Sequence, residues 1–142
     1  MTTTPVSIGR RSIIWLPLAA AAWFVATRDR HSLSVPEVDL AQAKGMFDGG
    51  ALILDVRKAD RYEYRHILGA MAMPLATLQS AIPMAIAYAK TLPILVYCGD
   101  GLSIGPEATH ILNKAGFAGA VNLKTGIEGW AAAGYPIKHA AA

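Results

Sequence analysis

The chain has 142 residues, 54% of them hydrophobic and 16% charged, with a formal net charge of +3 and one cysteine. That length suits a single compact core, and a lone cysteine excludes any disulfide within the chain. Residues 32–142 hold nine Lys/Arg and nine Asp/Glu, so the positive excess lies wholly in the N-terminal segment. The high isoelectric point therefore gives no reason to expect a nucleic-acid partner.

Ser12 to Thr27 carries no charge over sixteen residues and is bounded by Arg10-Arg11 and Arg28-Asp29-Arg30. As a helix it spans about 24 Å against a hydrocarbon core of about 30 Å, a gap that snorkelling arginines would close. Trp15 and Trp23 stand near its two ends, as interfacial anchors do. The expectation is one N-terminal apolar helix that anchors the chain in a membrane through residues 12–27. Residues 1–31 are then anchor and linker, and 32–142 a separate domain. A cleavable signal is the rival, because Gly9 to Ile14 loosely resembles a twin-arginine start. Its small-residue cleavage pattern occurs only at Ala19 to Ala22, which would leave a very short apolar core. Flanking charge hardly separates the two orientations, and the free amino terminus tilts the choice toward an extracytoplasmic (periplasmic) domain. An exported soluble domain and a cytoplasm-facing domain are the alternatives.

Beyond the linker, Leu33 to Val35 is expected to open a first strand. Pro36-Glu37 then starts a helix with Leu40, Ala43 and Phe47 on one face, closed by Gly49-Gly50. Strands are expected at about 51–55, 70–73, 93–98 and 119–122, separated by helical or irregular pieces. That alternation implies an α/β fold with a mostly parallel sheet of about five strands and helices on both faces. The stretch from Ala81 to Ala89 is apolar apart from Tyr88 and too short to span a bilayer. It is expected to be a buried helix, with an apolar patch resting on a membrane or a partner as the alternative.

Cys98 stands where the apolar run Leu92–Tyr97 enters Gly99-Asp100-Gly101-Leu102-Ser103, just ahead of a helical pattern. Open α/β sheets place their ligands at such strand ends. Loop amides and the helix dipole there favour an anion and lower a thiol's pKa. Ser103 is the expected helix cap, Pro106 and Glu107 suit the first turn, and Ala108, Ile111, Leu112 and Ala115 give one core-facing stripe. Gly116 fits the left-handed stop, and His110 falls off the stripe. The four histidines, at 31, 66, 110 and 139, show no metal-ligand spacing, and neither common phosphate-binding glycine loop is present. No metal or cofactor is expected.

Four blocks carry a family resemblance. They are Ala51 to Arg57; Tyr62 with His66 to Ala70 and Pro74; Val96-Tyr97-Cys98 with Gly101; and Asn122-Leu123, Gly126-Ile127, Trp130, Gly134 and Pro136. In that order and at that spacing they resemble the signatures of rhodanese domains, over about residues 33–138. The resemblance implies a sulfurtransferase in which Cys98 carries sulfane sulfur as a persulfide. The donor is thiosulfate, a polysulfide or a protein persulfide, and the acceptor a thiol or other nucleophile. It implies an anion-binding loop of Gly99, Asp100, Gly101, Leu102 and Ser103, with Asp55 and Arg57 organising the neighbouring turn and His66 positioning another. With no second cysteine the acceptor must be another molecule or subunit.

The departures bear on substrate. Many members carry arginines where this chain has Gly99 and Ser103, and Asp100 adds a negative charge. The loop has no cationic side chain, so an anion must be held by backbone amides, the Ser103 hydroxyl and the helix end. Arg61 and Arg65 stand where an acid and a glycine are usual. Cysteine phosphatases related in fold need an arginine at the position of Ile104, so phosphoryl chemistry is not expected. Two further readings compete with turnover: a catalytically weak binding or regulatory module at the membrane, and a persulfide carrier docking to a membrane-bound partner.

Overall fold

The computed structural model describes residues 33–141, and the expected N-terminal apolar helix lies outside those residues. Among the described residues no helix is long and apolar enough to cross a membrane. Strands β1 (Glu37–Val38), β2 (Leu52–Asp55), β4 (Met71–Ala72), β5 (Ile94–Tyr97) and β6 (Ala120–Leu123) form one sheet in the order β1-β6-β5-β2-β4. Every pairing in it is parallel, as the alternation of apolar runs and helical patterns requires. A second sheet, which the sequence reading lacks, pairs β3 (Arg65–Ile67) antiparallel with β7 (Ile137–His139). Each has three residues, and their partners are some seventy positions apart. No local pattern marks such a pair.

The strand period of two sorts the central residues onto opposite faces. Leu54, Val56, Val96 and Cys98 pack with α3 (Leu75–Ser80), α4 (Ile104–Lys114) and a 3-10 helix at Met84–Thr91. Ile53, Leu95 and Tyr97 pack with α1 (Leu40–Asp48) and α5 (Gly126–Ala132). Helices therefore cover both faces. This alternation also fixes the side on which Cys98 projects: toward the first turn of α4.

Three expectations change at the edges. The first strand begins at Glu37 rather than Leu33, because the Asn122 amide donates to Pro36 O and draws Glu37–Val38 onto β6. The helix accordingly starts at Leu40. Asp39 caps it by accepting from the Gln42 amide, and the Gln42 side chain accepts from the Asp39 amide in return. The apolar stretch from Ala81 to Ala89 is largely a 3-10 helix rather than a buried α-helix. Ile86 and Ala89 are buried, but Met84 is 86% and Tyr88 63% exposed. The short α2 (Ala59–Tyr64) connects β2 to β3.

Candidate functional site

The carboxyl ends of β2 and β5 lie side by side, with Asp55 in register with Tyr97. Two loops leave from there, and each has its own carboxylate. After β2, Asp55 is fully buried and forms an ion pair with Arg57, whose Nη2 donates to Oδ2 at 2.6 Å and whose Nε donates to Oδ1 at 2.9 Å. The Arg57 amide donates to Oδ1 and the Tyr97 hydroxyl to Oδ2. Arg57 Nη2 also donates to Arg65 O, tying α2 and β3 to this corner. Burial alone would lower the Arg57 pKa, but the Asp55 hydrogen bonds and charge more than offset it, and the net shift is upward. Tyr97 is shifted strongly upward, first by burial and then by the Asp55 charge. Its hydroxyl therefore stays a donor to Asp55 while accepting from the Ile67 amide. This network is structural, and both Asp55 oxygens and the Tyr97 hydroxyl are partnered within it.

His66 belongs to the same corner. Its Nδ1 lies 2.8 Å from Tyr62 O, so Nδ1 carries the proton and donates. The ring stacks on Tyr62 at 3.9 Å, and the Tyr62 hydroxyl donates to Ala70 O. His66 thus positions the turn before β4.

After β5 the chain enters Cys98 to Ser103. Two carbonyls of this loop point outward: Ile127 N donates to Cys98 O and Glu128 N to Gly99 O, both from the first turn of α5. Asn122 Nδ2 holds a third, Gly101 O, at 2.9 Å. With the Gly101 carbonyl pinned, the Leu102 amide of the same peptide turns inward. Gly101 adopts φ +79°, and a Cβ there would run into the Lys124 carbonyl, so only glycine fits. Its amide donates to Cys98 Sγ at 3.2 Å.

The inward amides are not gathered on the sulfur, as the loop's composition suggests they would be. Leu102 N (2.9 Å) and Ser103 N (3.3 Å) both donate to Asp100 Oδ1. Ser103 is the residue before α4, but its hydroxyl does not cap the helix; it donates to the same Asp100 oxygen at 3.3 Å and reaches Sγ at 3.9 Å. The thiol itself lies 3.6 Å from Asp100 Oδ1. The Leu102 amide above all holds the Asp100 carboxyl below the usual carboxylate range, against the opposing effect of burial and with help from the Ser103 amide and hydroxyl. Cys98 is fully buried rather than open to solvent.

Beneath the sulfur, Gly105 is a site residue that sequence reasoning missed. A Cβ on it would collide with Asn122 Oδ1 and lie 3.2 Å from Cys98 Sγ. The helix can approach the strand end this closely only without a side chain there. Asn122 Oδ1 is buried and, among the described residues, has no hydrogen-bond partner. The signal available in the sequence was a glycine inside a helical pattern, which is common and marks no partner by itself.

A cavity of about 290 Å³ adjoins the loop at Gly99 and is lined by Arg57, Arg61, Tyr64, Arg65, Ile127 and Glu128. Positive charge thus stands beside the cysteine loop, not in it. A larger cavity of about 600 Å³ is apolar and lies around Leu52 and Pro93, at the opposite end of the strands from Cys98. It has no nucleophile and plays no part in this chemistry.

A single cysteine at the end of a central parallel strand, on a glycine-turned loop opening a helix, is matched by the family model of the rhodanese-like domain over residues 39–133. The chain belongs to that family. Among curated relatives, the thiosulfate sulfurtransferase GlpE of Coxiella burnetii (strain RSA 493 / Nine Mile phase I) is 38% identical over 81 residues, covering 57% of this chain and 72% of that protein. The protein of Escherichia coli (strain K12) named "Uncharacterized protein YibN" is 28% identical over 127 residues, covering 89% of this chain and 87% of that one. Among solved structures, the rhodanese-like domain of the Anabaena protein Alr3790 superposes with a TM-score of 0.61 at 33% identity, over 73% of this chain and 79% of that one. In this rhodanese domain the loop residues read from the sequence do come together around Cys98. Asp55, Arg57 and His66 stand one loop away.

Proposed function

We propose that the domain is a sulfurtransferase that carries sulfane sulfur as a Cys98 persulfide from a donor to a thiol or other nucleophile. The observation that carries this reading is the Gly101 amide set on Cys98 Sγ at the entrance to α4. An N–H donor and a helix start both stabilise negative charge on the sulfur as it attacks and as it leaves. In the first half-reaction Cys98 sulfur bonds to the outer sulfur of R–S–SH and the donor S–S bond breaks. R–S departs with that electron pair and takes the thiol proton, leaving R–SH and Cys98–S–SH. In the second, an acceptor thiol attacks the outer sulfur and Cys98 leaves in its reduced form. Intact mass after exposure to thiosulfate, polysulfide or a persulfide tests this. A gain of one sulfur atom, lost in Cys98→Ser and reversed by cyanide, is expected; an alkylatable thiol that no donor loads would refute it.

A second reading, a weakly active binding or regulatory module, draws on the cation-free loop and on the two amides engaged by Asp100. The mass measurement separates the two.

We further propose that residues 12–27 anchor the chain in a membrane as a single pass, with the rhodanese domain extracytoplasmic. The uncharged run between paired arginines supports this, as do the tryptophans near its ends. The match to YibN covers 89% of the chain, more than residues 33–142 alone can supply, so it reaches into this segment. The expected outcome is full-length protein in carbonate-washed membranes, with the domain digested by protease added to spheroplasts. A shortened soluble form would indicate cleavage instead.

A further inference from the structure

If Cys98 is a sulfur carrier, the geometry around it also selects the donor. Asp100 Oδ1 receives Leu102 N, Ser103 N, the Ser103 hydroxyl and, at 3.6 Å, the thiol. These are the groups that a loop at a helix start would offer to an incoming anion. No lysine or arginine lies between Cys98 and Ser103 to hold a second one. Asp100 is a poor candidate for a base that takes the thiol proton, because the same hydrogen bonds stabilise its ionised form. On the inner side, the buried and unpartnered Asn122 Oδ1 lies against Gly105 next to the sulfur. An approaching donor therefore meets the Asp100 carboxylate, while the Asn122 oxygen lies behind the sulfur. It must bring a hydrogen and no formal charge at the atom that reaches Cys98.

We propose that Asp100 determines donor choice: its carboxylate takes the anion position of the Cys98 loop, so sulfur is accepted from a persulfide, R–S–SH, and thiosulfate is excluded. The outer sulfur of a persulfide carries a hydrogen, and its leaving group is one sulfur that departs as R–SH. Thiosulfate brings no hydrogen. Its reaction forms the same Cys98–sulfur bond but releases sulfite, whose oxygens need the very amides that Asp100 holds. Arg61 and Arg65 line the adjoining cavity beside Glu128 and the Asp55-paired Arg57, where they attract the body of a negatively charged R rather than its S–S bond.

The test uses the full chain in non-ionic detergent as wild type, Asp100→Asn and Asp100→Ala. Sulfate binding is read from the amide resonances of Gly101, Leu102 and Ser103, and sulfur loading from intact mass with thiosulfate and with cysteine persulfide. Wild type is expected to show no saturable response to sulfate. Asp100→Ala gains one, and its loading rate with thiosulfate rises by about tenfold or more, as freeing several charge-assisted hydrogen bonds implies. Asp100→Asn, which keeps an acceptor oxygen and the loop's shape but not the charge, falls between them and keeps the test open if the alanine variant unfolds. Loading from cysteine persulfide is measured alongside, and the thiosulfate-to-persulfide ratio is expected to rise in both variants. An unaltered sulfate response and an unaltered thiosulfate-to-persulfide ratio in both variants would overturn the proposal. Sulfate binding gained in Asp100→Ala without sulfur loaded in any form would overturn the sulfurtransferase reading and leave the Asp100 occupancy standing.

Discussion

Two carboxylates end up about one loop apart at the same edge of the sheet, and they do opposite things. Asp55 is fully buried and held by a guanidinium, a phenol and a backbone amide, all of them from residues that are themselves fixed. Asp100 is exposed and held by the amides of its own loop, with the nucleophile as its fourth neighbour. A buried charge pair gains its strength from the exclusion of water and loses heavily when one partner is removed. An exposed carboxylate bonded to its own loop gains less, because water screens its charge. The first loop is therefore a fixture, and the second is adjustable.

Breaking the fixture gives the larger effect. Asp55→Ala leaves the Arg57 guanidinium, whose side chain is 11% exposed, without its counter-charge, and also strips the Tyr97 hydroxyl of its acceptor. A loss of about 3–5 kcal/mol in unfolding free energy is expected, read from urea titration. Sulfur loading per folded molecule should persist, since no Asp55 contact reaches Cys98. A loss below about 1 kcal/mol would mean the corner is not the fixture described here.

The adjustable loop should respond weakly and with a defined sign. The folded Asp100 pKa lies below its unfolded value of about 3.9, so its contribution is fully present above that pH. It is lost as pH falls through the folded pKa. The difference in stability between wild type and Asp100→Asn, measured by thermal unfolding, should be constant from neutral pH to about pH 5 and shrink below about pH 4. Because the group is exposed, the difference should stay within about 1 kcal/mol. A difference that grew on acidification would contradict the hydrogen-bonded, ionised carboxylate.

Much of this architecture was legible in the chain. Ile94 to Tyr97 reads as a strand because four consecutive apolar residues meet a glycine turn, and all four are buried. The α4 pattern places Ala108 and Leu112 inward, and Gly116, at φ +96°, ends it. Four short blocks, each ordinary alone, marked the rhodanese family by their order. The exposed Met84 and Tyr88 were not legible, because an apolar run looks the same whether its neighbours cover it or not.

The sequence by itself determined the parallel α/β fold, the position of the cysteine at the end of a central strand and the absence of a cation from its loop. These follow from local periodicity and residue identity. Only the tertiary structure decided that Cys98 is buried, that Gly105 must lack a side chain and that Asp100 collects two of the loop's amides while the sulfur receives one. The Leu102 amide points inward because Asn122 draws the Gly101 carbonyl of the same peptide outward, while Ile127 and Glu128 hold the carbonyls of Cys98 and Gly99. Donors more than twenty residues away turn the loop's peptide planes, and spacing within the loop carries no record of them.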